Sequence, residues 1–345
     1  MPHAYRKLPY KKVHAGRSRN DQILTAMRLY MKDSLNRIRR EVQKLAQDFL
    51  ELAGKYKKIP MPGYTHTQQA MLSSVGHYFC AYTESLLDDM NLLDSIYHHI
   101  DKSPLGSAAG YGVALLLPRE FTKRELKFKQ LQVNSLYCQN SRGKFESIYL
   151  EGLAQIMLTL NKFASDIILF TSQEFAFFKV KNNLVTGSSI MPQKRNLDGL
   201  EILRAKTHTV TTNQSLVKDI CKNLISGYHR DLQLIKKPLI ESTNTVLQSL
   251  EVANLYLNGL EPNANKMSQA ITKEIFTADL ATEMSKKIPF RDAYKQALKA
   301  IKKQHIDLEK NLADKISLGA PGNLDLNYYK NLLFEEKRRK GPKKI

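Results

Sequence analysis

The chain has 345 residues with 42 % hydrophobic content, enough for about two domains with a buried core and too apolar for a disordered chain. Its net charge is +20, yet the lysines are spread along the sequence with no aromatic-interleaved basic stripe or finger spacing, so a primary nucleic-acid-binding role is not favoured. No apolar run approaches the roughly 18 to 20 residues that cross a bilayer, and the start MPHAYRKLPYKK has no apolar segment behind its charges; Cys80, Cys138 and Cys221 lack metal-ligand spacing, so buried thiols in a cytoplasmic protein are expected.

Apolar residues at Leu24, Met27, Met31, Leu35, Ile38, Val42, Leu45, Phe49 and Leu52 step by three or four and predict one long helix with a bundle-type stripe. Gly54, Pro60, Pro62 and Gly63 end it, ahead of a loop GYTHTQQA. A second helix is predicted from about Met71 to Ile100, followed by a small-residue loop SPLGSAAGYG (103–112). Further helices are read from about Phe145 to Phe170, from after Asn196 to about Asn223, and from about Arg230 to Leu257. Long helices with little alternating strand pattern give an all-α long-helix bundle. Beyond GLEPNANK (259–266) the helices shorten, as in a small helical C-terminal domain, and the expected division is 1–17, 18–262 and 263–345, the last ending in the basic tail EEKRRKGPKKI.

The unusual residues collect in four loops at the ends of long helices: AGRSRND (15–21), GYTH (63–66), GSSIMPQKRN (187–196) and GYHRDLQLIKK (227–237). Each supplies small hydroxyl, amide or cationic groups, which suits a polar cleft for an anionic ligand. Arg17, Ser18, Arg19 and Asn20 stand where a helix begins, so unpaired backbone N–H groups and the helix dipole add to their pull on a carboxylate; the plainer reading is an N-cap on Ser18 or Asn20 with the arginines in solvent. Gln233 and Lys236, three apart, can point into one cleft, or simply begin a solvated helix.

In this order the four loops resemble those of the argininosuccinate lyases, within the wider fumarase and aspartase superfamily. Gly187, Ser188, Ser189, Met191, Pro192, Lys194 and Asn196 match the superfamily pattern GSSxMPxKxN, while HAGRSRNDQ, GYTHTQQA and Tyr228 with Asp231, Leu232 and Gln233 match this branch. The likeness runs from about Val13 to the C-terminal region and implies the long-helix bundle of the fumarase and aspartase type. It also implies a cofactor-free, metal-free β-elimination that cleaves argininosuccinate to arginine and fumarate in arginine biosynthesis. Ser188 is implied as the base, with Ser189 its neighbour and competitor; a serine hydroxyl needs Lys194 and loop N–H groups to stabilise its alkoxide. His66 is implied in proton handling, oriented by Glu201, although a loop histidine bonded to backbone is the plain alternative. Ser18, Arg19, Asn20, Thr65 and Asn196 are implied on the carboxylate side of the substrate, and Tyr228, Gln233 and Lys236 on its arginine side. A homotetramer with shared sites follows from the likeness, with Thr65 and His66 coming from a different subunit than Ser18 and Ser188.

The departures are specific. Family members carry a further N-terminal domain ahead of the first loop, where only 13 residues precede His14; Leu197 follows Asn196 where proline is usual; and Gly143, with Arg142 one position off, stands where many members turn an arginine to the site. These departures keep a non-catalytic structural relative open beside the enzyme, and a sibling fumarate-releasing lyase is the other alternative.

Overall fold

The computed structural model describes residues 14–338; most of the 1–17 segment and most of the basic tail lie outside the described residues. Helix α1 (Arg19–Lys55) leads into strands β1 (Pro60–Thr65) and β2 (Gln68–Ser74) and helix α2 (Val75–Ile100). After β3 (Lys102–Ser103), α3 (Arg119–Glu125), β4 (Gln130–Leu131) and α4 (Ser135–Asn140), the long helix α5 (Lys144–Phe170) returns along the bundle. Strand β5 (Phe178–Val180), α6 (Asp198–Ile220), α7 (Lys236–Leu257) and β6 (Leu260–Pro262) follow, then the short helices α8 (Ala264–Ala270), α9 (Thr277–Met284), α10 (Phe290–Ala300) and α11 (Leu308–Ala313), and finally α12 (Leu326–Arg338).

The predicted stripe on α1 is the seam of the bundle: Leu24, Met31, Leu35, Ile38, Val42, Leu45 and Phe49 are buried, with Met27 and Leu52 half-buried at its edges. Phe49 stacks on Tyr82 at 5.2 Å and meets Phe163 edge-on at 5.2 Å, so one side chain locks α1, α2 and α5 together. The core extends through α6 and α7 and takes in Tyr329 and Leu333 of α12. Tyr329 Oη donates to Glu84 on α2 at 2.8 Å, so the last helix folds back on the first hairpin of helices. A smaller core joins Ile275, Phe276, Ile301 and Leu312 to Leu72 of β2.

Three expectations need correction. The stretch from Met71 is not helical: it is β2, which pairs antiparallel with β1 around His66 and Thr67, both at positive φ (52° and 59°), as a two-residue hairpin turn requires. Helix α2 starts at Val75 because Ser74 caps it, its Oγ accepting the His77 N–H at 3.1 Å. The segment Arg230–Gln233 is a 3₁₀ turn, and the helix proper begins at Lys236. The stretch Ser135–Phe170 is also long and apolar enough to cross a membrane, contrary to the reading of the sequence; half of that apolar window is buried inside the bundle, as in a core helix.

The bundle also hides cations. Lys32 is 1 % exposed and reaches Asp101 at 2.5 Å and the Lys127 carbonyl at 2.8 Å, with the Phe128 ring 4.4 Å away. One turn earlier Arg28 lies 3.4 Å over the Phe145 ring, fully buried, and burial pulls its pKa down to about 10. Both cations pin the 101–141 segment to α1, beside the first of the loops described above.

Candidate active site

The start of α1 is a capping box. Ser18 Oγ accepts the Asn20 N–H at 3.2 Å, and Asp21 Oδ1 accepts the Ser18 N–H at 3.0 Å. The N-cap reading of Ser18 therefore holds, and it leaves the hydroxyl proton free to donate. Asp21 does more than cap: its Oδ2 accepts the N–H groups of Gly106 and Ala108, each at 3.0 Å, so one buried carboxylate fastens the SPLGSAAGYG loop onto the helix start. Arg19 is exposed and Asn20 half-buried beside this clasp.

Arg142 joins the same end to the 227–237 segment. Its Nη2 donates to the Asn20 carbonyl, its Nε donates to Gln139 at 3.1 Å, and its guanidinium lies 5.1 Å over the Tyr228 ring. Arg142 thus faces this end in spite of its one-position offset. Gly143 could not carry a side chain there, because its φ is +79° and an added Cβ would fall 1.9 Å from Cys221 Sγ. Tyr228 Oη accepts from Gln233 Nε2, and Lys236 Nζ donates to Gln233 Oε1 at 2.8 Å. Ser18, Arg19, Asn20, Tyr228, Gln233 and Lys236 thus form one polar, cation-bearing end, suited to holding carboxylates.

The 187–196 loop stands apart from this end. Its base is closed by a reciprocal pair between Thr186 and Asn196, with N···O distances of 3.0 and 2.9 Å, and Thr186 Oγ1 donates to Asp198 at 2.7 Å. Tyr256 anchors the underside through its hydroxyl on the Leu184 carbonyl at 2.8 Å, and Gly199 is needed where the Tyr256 ring approaches to 2.7 Å of a would-be Cβ. Within the loop, Ser188 Oγ accepts the N–H groups of Met191 (3.1 Å) and Ile190 (3.3 Å). Two N–H donors on one hydroxyl oxygen favour its anionic form, and among the described residues Ser189 has no such cradle. Lys194 projects from the same loop, exposed and without a side-chain partner among the described residues.

Thr65 and His66 are exposed at the tip of the β1–β2 hairpin, which packs against the short C-terminal helices and, through Tyr64, against Phe170, Phe175 and Phe177. Glu201 is exposed on the first turn of α6, and within one chain no hydrogen bond or ion pair joins it to His66. The hairpin cannot reach the Ser18 end. Helix α1 spans 37 residues, about 55 Å, and the ten residues from Lys55 to Thr65 could return only about 35 Å even fully extended. Ser188 is likewise divided from that end by the 23 residues of α6, about 34 Å, whose far terminus brings Cys221 Sγ 3.8 Å from the Arg142 carbonyl. The expected grouping of Ser18 with Ser188 is therefore corrected: the chain holds two separate sets, Ser18 to Lys236 at one end and Ser188, Lys194, Asn196, Glu201, Thr65 and His66 at the other. Sequence reasoning missed Asp21, the residue that fastens two loops together; Asp at the fourth position of SRND was its only signal.

Comparison with known proteins gives the family and the fold. A family profile described as lyase matches residues 5–212. The argininosuccinate lyase of Thermotoga neapolitana is 46 % identical over 289 residues, covering 83 % of this chain and 72 % of that protein. That of Xanthomonas axonopodis pv. citri is 41 % identical over 320 residues, 92 % of this chain and 74 % of its own length. Among solved structures, an EDDS lyase in complex with formate superposes with a TM-score of 0.86 at 22 % identity, covering 95 % of this chain and 74 % of that one. The 3-carboxy-cis,cis-muconate lactonizing enzyme of Pseudomonas putida gives 0.76 at 20 %, covering 95 % and 78 %, and both establish the helical fold. With four signature loops, the long-helix bundle and this level of identity in agreement, the chain is a lyase that belongs to the argininosuccinate lyase family of the fumarase and aspartase superfamily.

Proposed function

We propose that the chain is a cytoplasmic enzyme of arginine biosynthesis that eliminates fumarate from argininosuccinate, working as a homotetramer. The observation that carries this reading is the pair of N–H donors on Ser188 Oγ in a loop that also presents Lys194. Ser188 removes the proton on the carbon beside a substrate carboxylate, and Lys194 with Asn196 stabilises the aci-carboxylate that forms; one preorganised donor in such a place is worth about 3 to 4 kcal/mol. The C–N bond then breaks, its electron pair going to the departing guanidinium nitrogen with a proton, and the double bond of fumarate closes. His66, oriented by Glu201 of a neighbouring copy, handles that proton.

Ser18, Arg19, Asn20 and Thr65 hold the carboxylates, and Tyr228, Gln233 and Lys236 hold the arginine portion. Because the two sets lie at opposite ends of one chain, a complete site draws on more than one subunit, and closure of the exposed 187–196 loop excludes water. The decisive measurement is fumarate release from argininosuccinate, followed by ultraviolet absorbance, for the chain and its Ser188→Ala variant. Loss of at least about a hundredfold in turnover with substrate still bound is the expected result. A folded, tetrameric chain that releases no fumarate defeats the proposal.

A further inference from the structure

Between the start of α5, the end of α6 and the 224–232 segment lies a cavity of about 410 Å³, a volume that suits a small ligand. None of the residues assigned above to catalysis or substrate binding lines it. Its wall carries three cations, Arg142, Lys144 and Lys218, together with the hydroxyls of Ser147 and Ser226, and no carboxylate. Lys144 is the first residue of α5, a helix of 27 residues, so the positive end of the helix dipole reinforces those charges. The acid of that turn, Glu146, is engaged elsewhere: its Oε2 accepts the Gly143 N–H at 2.7 Å.

Arg142 is the telling member. It is only 8 % exposed, its Nε and Nη2 are spoken for by Gln139 and the Asn20 carbonyl, and its Nη1 has no partner among the described residues. Glu146 and Asp21 already offset part of the cost of burying this charge, and the remaining Nη1 donor is the one available to an anion in the cavity. Leu224 and Ile225 add an apolar side for the remainder of a ligand.

We propose that this cavity is a second anion site, adjoining the substrate residues and joined to them through Arg142, which takes a compact dianionic group: a phosphate or a dicarboxylate held by Arg142, Lys144 and Lys218 at the start of α5. Isothermal titration of the intact protein with inorganic phosphate, and separately with succinate, at low salt tests it. At least one of the two binds, and the tighter one identifies the source. The double variant Lys144→Gln, Lys218→Gln weakens that binding by about tenfold or more, since two charge-assisted contacts are lost. Arg19→Gln, an exposed change among the residues that hold substrate carboxylates, leaves it unchanged. The proposal is overturned if neither anion binds, if the double variant binds as tightly as the parent, or if Arg19→Gln abolishes binding and so places the anion among the substrate residues. Titration reads binding and not turnover, so this result stands apart from the fate of the lyase reading.

Discussion

At the Ser18 end the polar groups are tied to one another before any substrate arrives, with Asp21 on three backbone N–H groups and Gln233 bridging Tyr228 to Lys236. At the Ser188 end, Lys194, His66 and Glu201 stand exposed without side-chain partners among the described residues. The first end is built to hold, since its geometry is set by buried supports and binding costs it little reordering. The second has no such supports, so ordering its exposed side chains around a ligand costs conformational entropy that the first end has already lost.

The sharpest way to break this comparison is to separate the ends genetically. Ser188→Ala and Asn20→Ala are each expected to be inactive alone. Refolded as a mixture, they should recover about a quarter of wild-type activity, because random assembly gives that share of sites an intact residue from each of two chains. No recovery in tetramers shown to be mixed means that each site is made by one chain, against the geometry.

Next in size is Asp21→Ala. It strips the acceptor from the Ser18, Gly106 and Ala108 N–H groups, at about 1 to 3 kcal/mol for each one left buried and unpaired, so the urea midpoint should fall clearly and kcat/KM with it. An unchanged midpoint contradicts the clasp. Tyr228→Phe is a smaller perturbation. Losing the hydroxyl that accepts from Gln233 should raise KM about tenfold with kcat nearly unchanged, the mark of a group that binds ground state and transition state alike. A fall in kcat at constant KM instead moves Tyr228 into the chemistry.

The smallest effect belongs to the hairpin tip. Thr67 is β-branched at a φ of 59°, a conformation that costs such residues about 1 to 2 kcal/mol. Thr67→Gly relieves that strain but gives up the Thr67 Oγ1 bond to the His66 carbonyl at 2.6 Å. A Tm rise of about 1 to 2 °C with reduced turnover is expected, and unchanged turnover shows that the tip needs no such rigidity.

How much of this could be read from the chain depended on the range of the forces involved. The bundle was legible because a stripe such as Leu24 to Leu52 is a local, periodic record of one buried face. So were the four loops, whose residue types fit neither core nor ordinary helix. The hairpin was not: Pro60, Pro62 and Gly63 read as punctuation, and only pairing with β2 makes them a strand. Arg28 and Lys32 look like surface residues on a helix until Phe145, Asp101 and Phe128 close over them. The division between Ser18 and Ser188 was hidden as well, since shared chemistry suggests neighbours while the lengths of α1 and α6 keep them apart.

Those lengths have a consequence for how such a molecule can vary. Helix α1 and helix α6 act as rulers: each residue sets about 1.5 Å of axial distance and 100° of rotation. Deleting a single residue from the middle of α6 would turn Glu201 and the loop before it a quarter-circle or more relative to the Arg142 end, while shortening the distance between the two ends by less than a bond-length or two. Insertions and deletions are thus confined to the connections, and a change inside the rods survives only in steps that restore the phase of the helix, about seven residues and 10 Å at a time.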